Sequence, residues 1–277
     1  MFLGYNTNGF AHHRLDDAVE IMAELGYGGV ALTLDVHHLD PFGNDQWSRV
    51  ADFSRELETH KLECVIETGA RFLLDPWEKH QPTLLSADAD DRECRQAFLY
   101  ECVDITAALR FQGDCVSFWS GKADDDSPPR TLMARLVDGC RKLADHAAER
   151  KVKLAFEPEP GMFIDTMDKF AELHGRVNHP AFGLTIDIGH LVCNGELPVG
   201  KFLRDWQHVL WNVHIEDMRR GVHDHLMFGE GEVDFADVFA GLRDANYAGG
   251  VYVELSRHSY DAVNTARKAK AFLDRFV

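Results

Sequence analysis

The chain has 277 residues, and its 46 Asp and Glu against 29 Lys and Arg give a formal charge of −17 with histidine neutral. Such a surplus argues against a protein that tracks nucleic-acid phosphates, which needs a net basic face to displace counterions. At 45% hydrophobic and 27% charged residues, with no run of about 18 apolar residues to cross a bilayer, the composition excludes disordered, fibrous and membrane-spanning classes.

Residues 1–6 carry no basic segment followed by an apolar stretch, so no secretory leader is read there. The six cysteines, Cys64, Cys94, Cys102, Cys115, Cys140 and Cys193, include no C-x-x-C pair. A cytoplasmic protein whose thiols stay reduced and pack as small apolar groups is expected. Along the chain, short β-branched or aromatic runs predict strands at 2–7, 29–34, 63–68, 114–119, 153–158, 183–188, 211–216 and 250–255. Apolar residues spaced three and four apart predict helices at 15–25, 46–60, 92–110, 130–151, 234–245 and 261–276. In the fourth of these, Leu132, Leu136, Val137, Cys140 and Leu143 form the stripe that a helix covering a sheet must bury. Eight strands alternating with helices over this length fit a (β/α)₈ TIM barrel, with a doubly wound open sheet as the competing α/β arrangement. No linker-like stretch divides the chain, so residues 1–277 are read as a single domain. The longest irregular segments, 71–91, 121–129 and 218–232, all follow strands, on the side where a barrel builds its active site.

Strand alternation selects the candidate site. In 153–159, Leu154 and Phe156 share one face while Ala155, Glu157 and Glu159 share the other. If the larger apolar set faces the helices, the glutamates point inward near the strand's end. The same parity brings Asp187, His214 with Glu216, and Glu254 inward on the next three strands. Three carboxylates and an imidazole crowded together repel and would be driven to take up protons, a conflict that a divalent cation removes. The oxygen-rich set Glu157, Asp187, His214 and Glu254 suits one Mn²⁺ or Mg²⁺ ion, with Co²⁺ or Zn²⁺ also compatible.

The segments Phe156-Glu157-Pro, Thr185-Ile-Asp187-Ile-Gly-His190, Asn212-Val-His214-Ile-Glu-Asp and Val253-Glu254-Leu together resemble the xylose isomerase-like TIM barrel superfamily of sugar and sugar phosphate isomerases and epimerases. The resemblance covers most of the chain and is strongest over 152–255. It implies that Glu157, Asp187, His214 and Glu254 ligate the metal and that His190 contacts substrate. The loop from Arg219 to Gly231 also resembles that of a DNA repair endonuclease branch, but His223 stands where that branch has an acidic residue, and the third and fourth strands lack its histidines.

The reaction expected is isomerisation or epimerisation of a sugar or related polyhydroxy carbonyl compound, in which Glu157 and Glu254 remove and return a proton through a metal-stabilised enediolate. An inosose-type dehydratase and a metal-dependent phosphodiester hydrolase are the alternatives. Further substrate contacts are expected from Glu67, Trp119, Arg219, His223 and His225. All but Arg219 have a plainer reading: a rim ion pair of Glu67 with Arg71, a core-packing Trp119, solvated loop histidines. Small polyhydroxy molecules are the expected partners, with no nucleic acid or membrane; a homo-oligomer is compatible with the sequence.

Overall fold

The structure, a computed structural model describing residues 1–109 and 115–277, contains a closed barrel of parallel strands. Its staves are β1 (Phe2–Asn6), β2 (Gly29–Thr33), β3 (Glu63–Glu67), β4 (Cys115–Phe118), β5 (Lys153–Phe156), β6 (Phe182–Asp187) and β7 (Leu210–Ile215). After β7 the chain forms a two-stranded antiparallel hairpin, β8 (Asp217–Arg219) and β9 (Val222–Leu226), before β10 (Gly250–Val253) closes the barrel against β1. The segment 218–232 is therefore not irregular as expected: Gly221, at φ +75°, supplies the left-handed turn joining β8 to β9. The expected start of the fourth strand at Asp114 and end of the third helix at Arg110 lie outside the described residues.

Surrounding the barrel are α1 (Leu15–Glu24), α2 (Gln46–His60), α3 (Ala89–Leu109), α4 (Pro129–Arg150), α5 (Met167–Val177), α6 (Ile188–Asn194), α7 (Val199–Asp205), α8 (Phe235–Asp244) and α9 (Ala262–Leu273). In α4, Leu132, Leu136, Cys140 and Leu143 are buried as the periodicity requires, while Val137 is only partly covered at the edge of that face. Helices α5, α6 and α7 were not anticipated. The first is capped by Thr166, whose hydroxyl accepts from Lys169 N at 3.3 Å, and the other two span 7 residues each, too short for a periodic stripe to register. No helix among the described residues is long and apolar enough to cross a membrane.

Two layers of side chains explain how the sequence fills this shape. Outward residues such as Leu154, Phe156, Leu184, Ile186, Val213 and Ile215 are buried beneath the helices, each contributing about 1.5–3 kcal/mol relative to exposure. Inside the barrel a separate cluster of Ala31, Val65, Cys115, Ala155 and Tyr252 is flanked by Phe2 and Trp211. Tyr252 lies across space that glycine leaves open, since a Cβ on Gly4 would sit 2.2 Å from its ring. Between β6 and β7 the register shifts, so that Leu184 pairs with Leu210 but Thr185 with Asn212. Trp211 is the extra residue, and the bulge keeps Asn212 and His214 facing inward. Two residues beyond the apolar cluster, Val65 gives way to Glu67, Cys115 to Ser117, Ala155 to Glu157 and Tyr252 to Glu254. The barrel is dry at its base and polar at its mouth.

Candidate metal centre and active site

The backbone presents the four residues from consecutive staves. Glu157 follows β5, its N–H donating to Phe118 O at 2.8 Å, and Glu254 follows β10, its N–H donating to Ile215 O at 3.1 Å. Asp187 ends β6 and caps α6, its Oδ1 accepting from His190 N at 2.8 Å. His214 lies within β7. Each of the four residues offers a ligand atom within 4.8 Å of the others. His214 Nδ1 is 3.1 Å from Glu157 Oε1 and 3.2 Å from Glu254 Oε2, while Asp187 Oδ2 is buried with no hydrogen-bond partner among the described residues.

This crowding shows in the proton affinities. Burial works to lower that of His214, but the carboxylates of Glu67 and Glu157 dominate and hold it well above the usual histidine range. Burial raises Glu157 to about 8, against the pull of His214. Burial also opposes the charge on Glu254, but the hydrogen bond and charge of His214 outweigh it and keep this carboxyl well below its ordinary range. A cluster that seizes a proton to offset its negative charge can hold a cation instead. Three carboxylates, among them Asp187 with its unpartnered oxygen, and one imidazole fit a divalent ion.

Around this centre is a cavity of about 200 Å³. Asn8 reaches it from the turn after β1 and donates to Glu254 Oε1 at 2.9 Å, a contact across 246 residues that no local pattern announces. Glu67, expected among substrate contacts, lies at the cavity wall with Oε1 2.8 Å from His214 Nε2. It does not pair with Arg71, which instead lies 4.0 Å from Asp35. Trp119 also lines the cavity, half-buried, with His80 against its ring at 5.2 Å and the Arg95 guanidinium 5.5 Å from its centroid. The loop residues Lys79 and His80 belong to this wall and were not anticipated. Buried Arg95 fixes their loop by donating to His80 O and Pro82 O, both at 2.7 Å. Arg219 is turned away: it donates to Glu230 O at 2.7 Å and does not line the cavity, whereas Arg71, Lys79 and Arg257 do.

A second group forms beside the first. His190 stands on the first turn of α6, and His223 and His225 alternate along β9, so all three imidazoles converge within 4.8 Å. His190 Nδ1 faces Pro158 O at 3.2 Å and His225 Nδ1 faces Glu254 O at 3.0 Å. Carbonyl oxygens only accept, so each Nδ1 is the donor to its carbonyl, and each Nε2 is left to face the group. His190 Nε2 lies 3.0 Å from His223 Nε2. Burial lowers His190 to about 4, leaving it neutral near pH 7. Glu216, inward by parity, is fully buried beneath this group, packed so closely on α6 that a Cβ on Gly189 would come within 1.9 Å of its Oε1.

Residues 19–276 match the family model of the xylose isomerase-like TIM barrel. Among curated relatives, an inosose dehydratase of Lacticaseibacillus casei is 28% identical over 171 residues, covering 54% of this chain and 57% of that enzyme. The chain thus matches little more than half the length of that relative. The L-ribulose-5-phosphate 3-epimerase UlaE of Salmonella paratyphi C (strain RKS4594) is 25% identical over 213 residues, covering 74% and 71% of the two chains. Among solved structures, the D-allulose 3-epimerase from Methylomonas sp. shares the fold with a TM-score of 0.80 at 21% identity, covering 100% of this chain and 98% of that one.

Proposed function

Because the chain belongs to the xylose isomerase-like TIM barrel family, we propose that it is a divalent-metal-dependent isomerase or epimerase acting on a sugar or related polyhydroxy carbonyl compound. The observation carrying this reading is the sharing of His214 Nδ1 by Glu157 and Glu254, at 3.1 and 3.2 Å, from staves separated by β6 and β7. Glu157, Asp187, His214 and Glu254 would hold the ion, Mn²⁺ or Mg²⁺ ahead of Co²⁺ or Zn²⁺. When bound, the ion would supply charge stabilisation for a carbonyl and the hydroxyl on the next carbon, acidifying the C–H of that hydroxyl-bearing carbon. Glu157 and Glu254 would serve as the acid/base pair, one taking the proton and the other returning it. Asn8 orients Glu254 by holding its Oε1. His190, His223 and His225 offer imidazole nitrogens to substrate hydroxyls, and Trp119 offers its ring to the sugar's apolar face.

One observation favours a dehydratase as the second reading. Glu159 also lines the cavity, and burial, reinforced by the charges of Glu157, Glu254 and Asp187, pushes its carboxyl well above the usual range. A neutral acid there can protonate a departing hydroxyl. The three-histidine group is the feature that would serve a hydrolase, which the net charge of −17 disfavours on a nucleic-acid substrate. A cytoplasmic setting accords with five buried free thiols among the six cysteines.

Incubating the metal-loaded protein with a panel of ketoses, aldoses and inososes in D₂O tests the proposal. Deuterium entering at carbon without loss of water, abolished in Glu254→Gln, is the expected result; elimination of water to an enone would establish the dehydratase. No exchange with any of them, despite bound metal, would overturn the reading.

A further inference from the structure

His214 has two ring nitrogens with different surroundings, and only one can hold an ion. Nδ1 faces the carboxylates of Glu157 and Glu254, whereas Nε2 faces Glu67 Oε1 at 2.8 Å. Glu67 ends β3, which stands diametrically opposite β7 in the barrel order, so this hydrogen bond crosses the whole mouth. At 6% exposure Glu67 is buried, and its carboxylate can only accept. Asn212 Nδ2 lies 3.0 Å from the same Nε2 and donates to Glu67 Oε1 at 3.3 Å, which helps hold that carboxylate in place.

We infer that Glu67 is a positioning residue: by accepting a hydrogen bond from Nε2–H it fixes the tautomer and ring plane of His214, so that the Nδ1 lone pair is directed at the ion. The inference rests on the metal-dependent reading proposed above and concerns a residue outside the ligand set. Its logic is that of a carboxylate behind a metal-bound imidazole, which makes the ring more basic and removes the freedom to flip. It also gives β3, which ends in Glu67, a task in the site.

The test uses Zn²⁺ as a diamagnetic probe on the full-length protein with ¹⁵N-labelled histidine. In the wild type loaded with Zn²⁺, two-bond ¹H–¹⁵N correlations should show His214 protonated at Nε2 and metal-shifted at Nδ1. Glu67→Gln should weaken Zn²⁺ binding by roughly 10- to 100-fold in a chelator competition. The wild-type spectrum decides the matter even if the variant does not fold: His214 protonated at Nδ1 in the loaded protein overturns the inference, as does a Glu67→Gln protein that folds and binds Zn²⁺ as tightly as the wild type. A wild type that binds no Zn²⁺, Mn²⁺ or Mg²⁺ refutes the metal-dependent reading itself, and the inference with it, which is a different result from either of these.

Discussion

A buried histidine can take opposite proton states within one cavity, depending on its neighbours. His214 is held proton-hungry by the carboxylates around it, while His80, at the wall, is pushed down to about 4 by burial and then by Lys79. His80 Nδ1 faces Gly69 O at 2.6 Å, so the neutral ring is anchored to the backbone. An unfolded histidine binds its proton near pH 6.5 and the folded one only near 4, so between these values the unfolded chain carries more protons and stability falls as the solution is acidified. Denaturant unfolding of the wild type and His80→Gln at pH 7 and pH 4.5 should therefore show the variant losing about 2 kcal/mol less than the wild type over that interval. Equal losses in both would show that His80 titrates normally. Alternation along strands was enough to place Glu157, Asp187, His214 and Glu254 on one rim, because each directly follows an outward apolar residue and so has inward parity. It could not foresee Asn8 or the partner of Glu67, since each contact joins residues far apart in sequence and depends on how the barrel closes.

The hairpin of β8 and β9 carries two of the three converging histidines, and its place depends on one side chain. Asp217, 1% exposed, accepts from Met218 N and Val233 N through Oδ1 and from Gly229 N and Gly231 N through Oδ2, at 2.8 to 3.1 Å. Gly231 is required there, because a Cβ would come within 2.2 Å of Asp217 Oδ1. Asp217→Ala should destabilise the protein by about 2–4 kcal/mol, as buried N–H groups lose a charged acceptor. In hydrogen exchange the amides of Gly229, Gly231 and Val233 should lose protection well before those of β7. Unchanged protection would mean that the loop is held by other contacts. At this scale the strands and the long helices were readable because each repeats a pattern several times, and α2 falls at 46–60 as read. The hairpin was not, for its strands of 3 and 5 residues rise above the barrel without an apolar face to alternate. Helix α6 was hidden too, because its start is set by the Asp187 carboxylate, a residue that spacing assigns to the site.

For the molecule as a whole, a closed sheet solves two problems together. Its helices bury the outward faces, and its interior changes from the apolar layer of Ala31, Val65, Cys115, Ala155 and Tyr252 to a mouth rich in carboxylates. Charge that would be intolerable in the first layer can be accommodated in the second if, as proposed, a cation accompanies it. The net charge of −17 is thus partly concentrated where an ion would offset it, while Arg71, Lys79 and Arg257 stand at the same cavity. That this site is built around one divalent ion, as proposed, is checked by metal analysis of protein purified without chelator. One ion per chain in the wild type, lost in both His214→Ala and Asp187→Asn, is the predicted result; stoichiometric metal surviving both substitutions, in protein that remains folded, would contradict it.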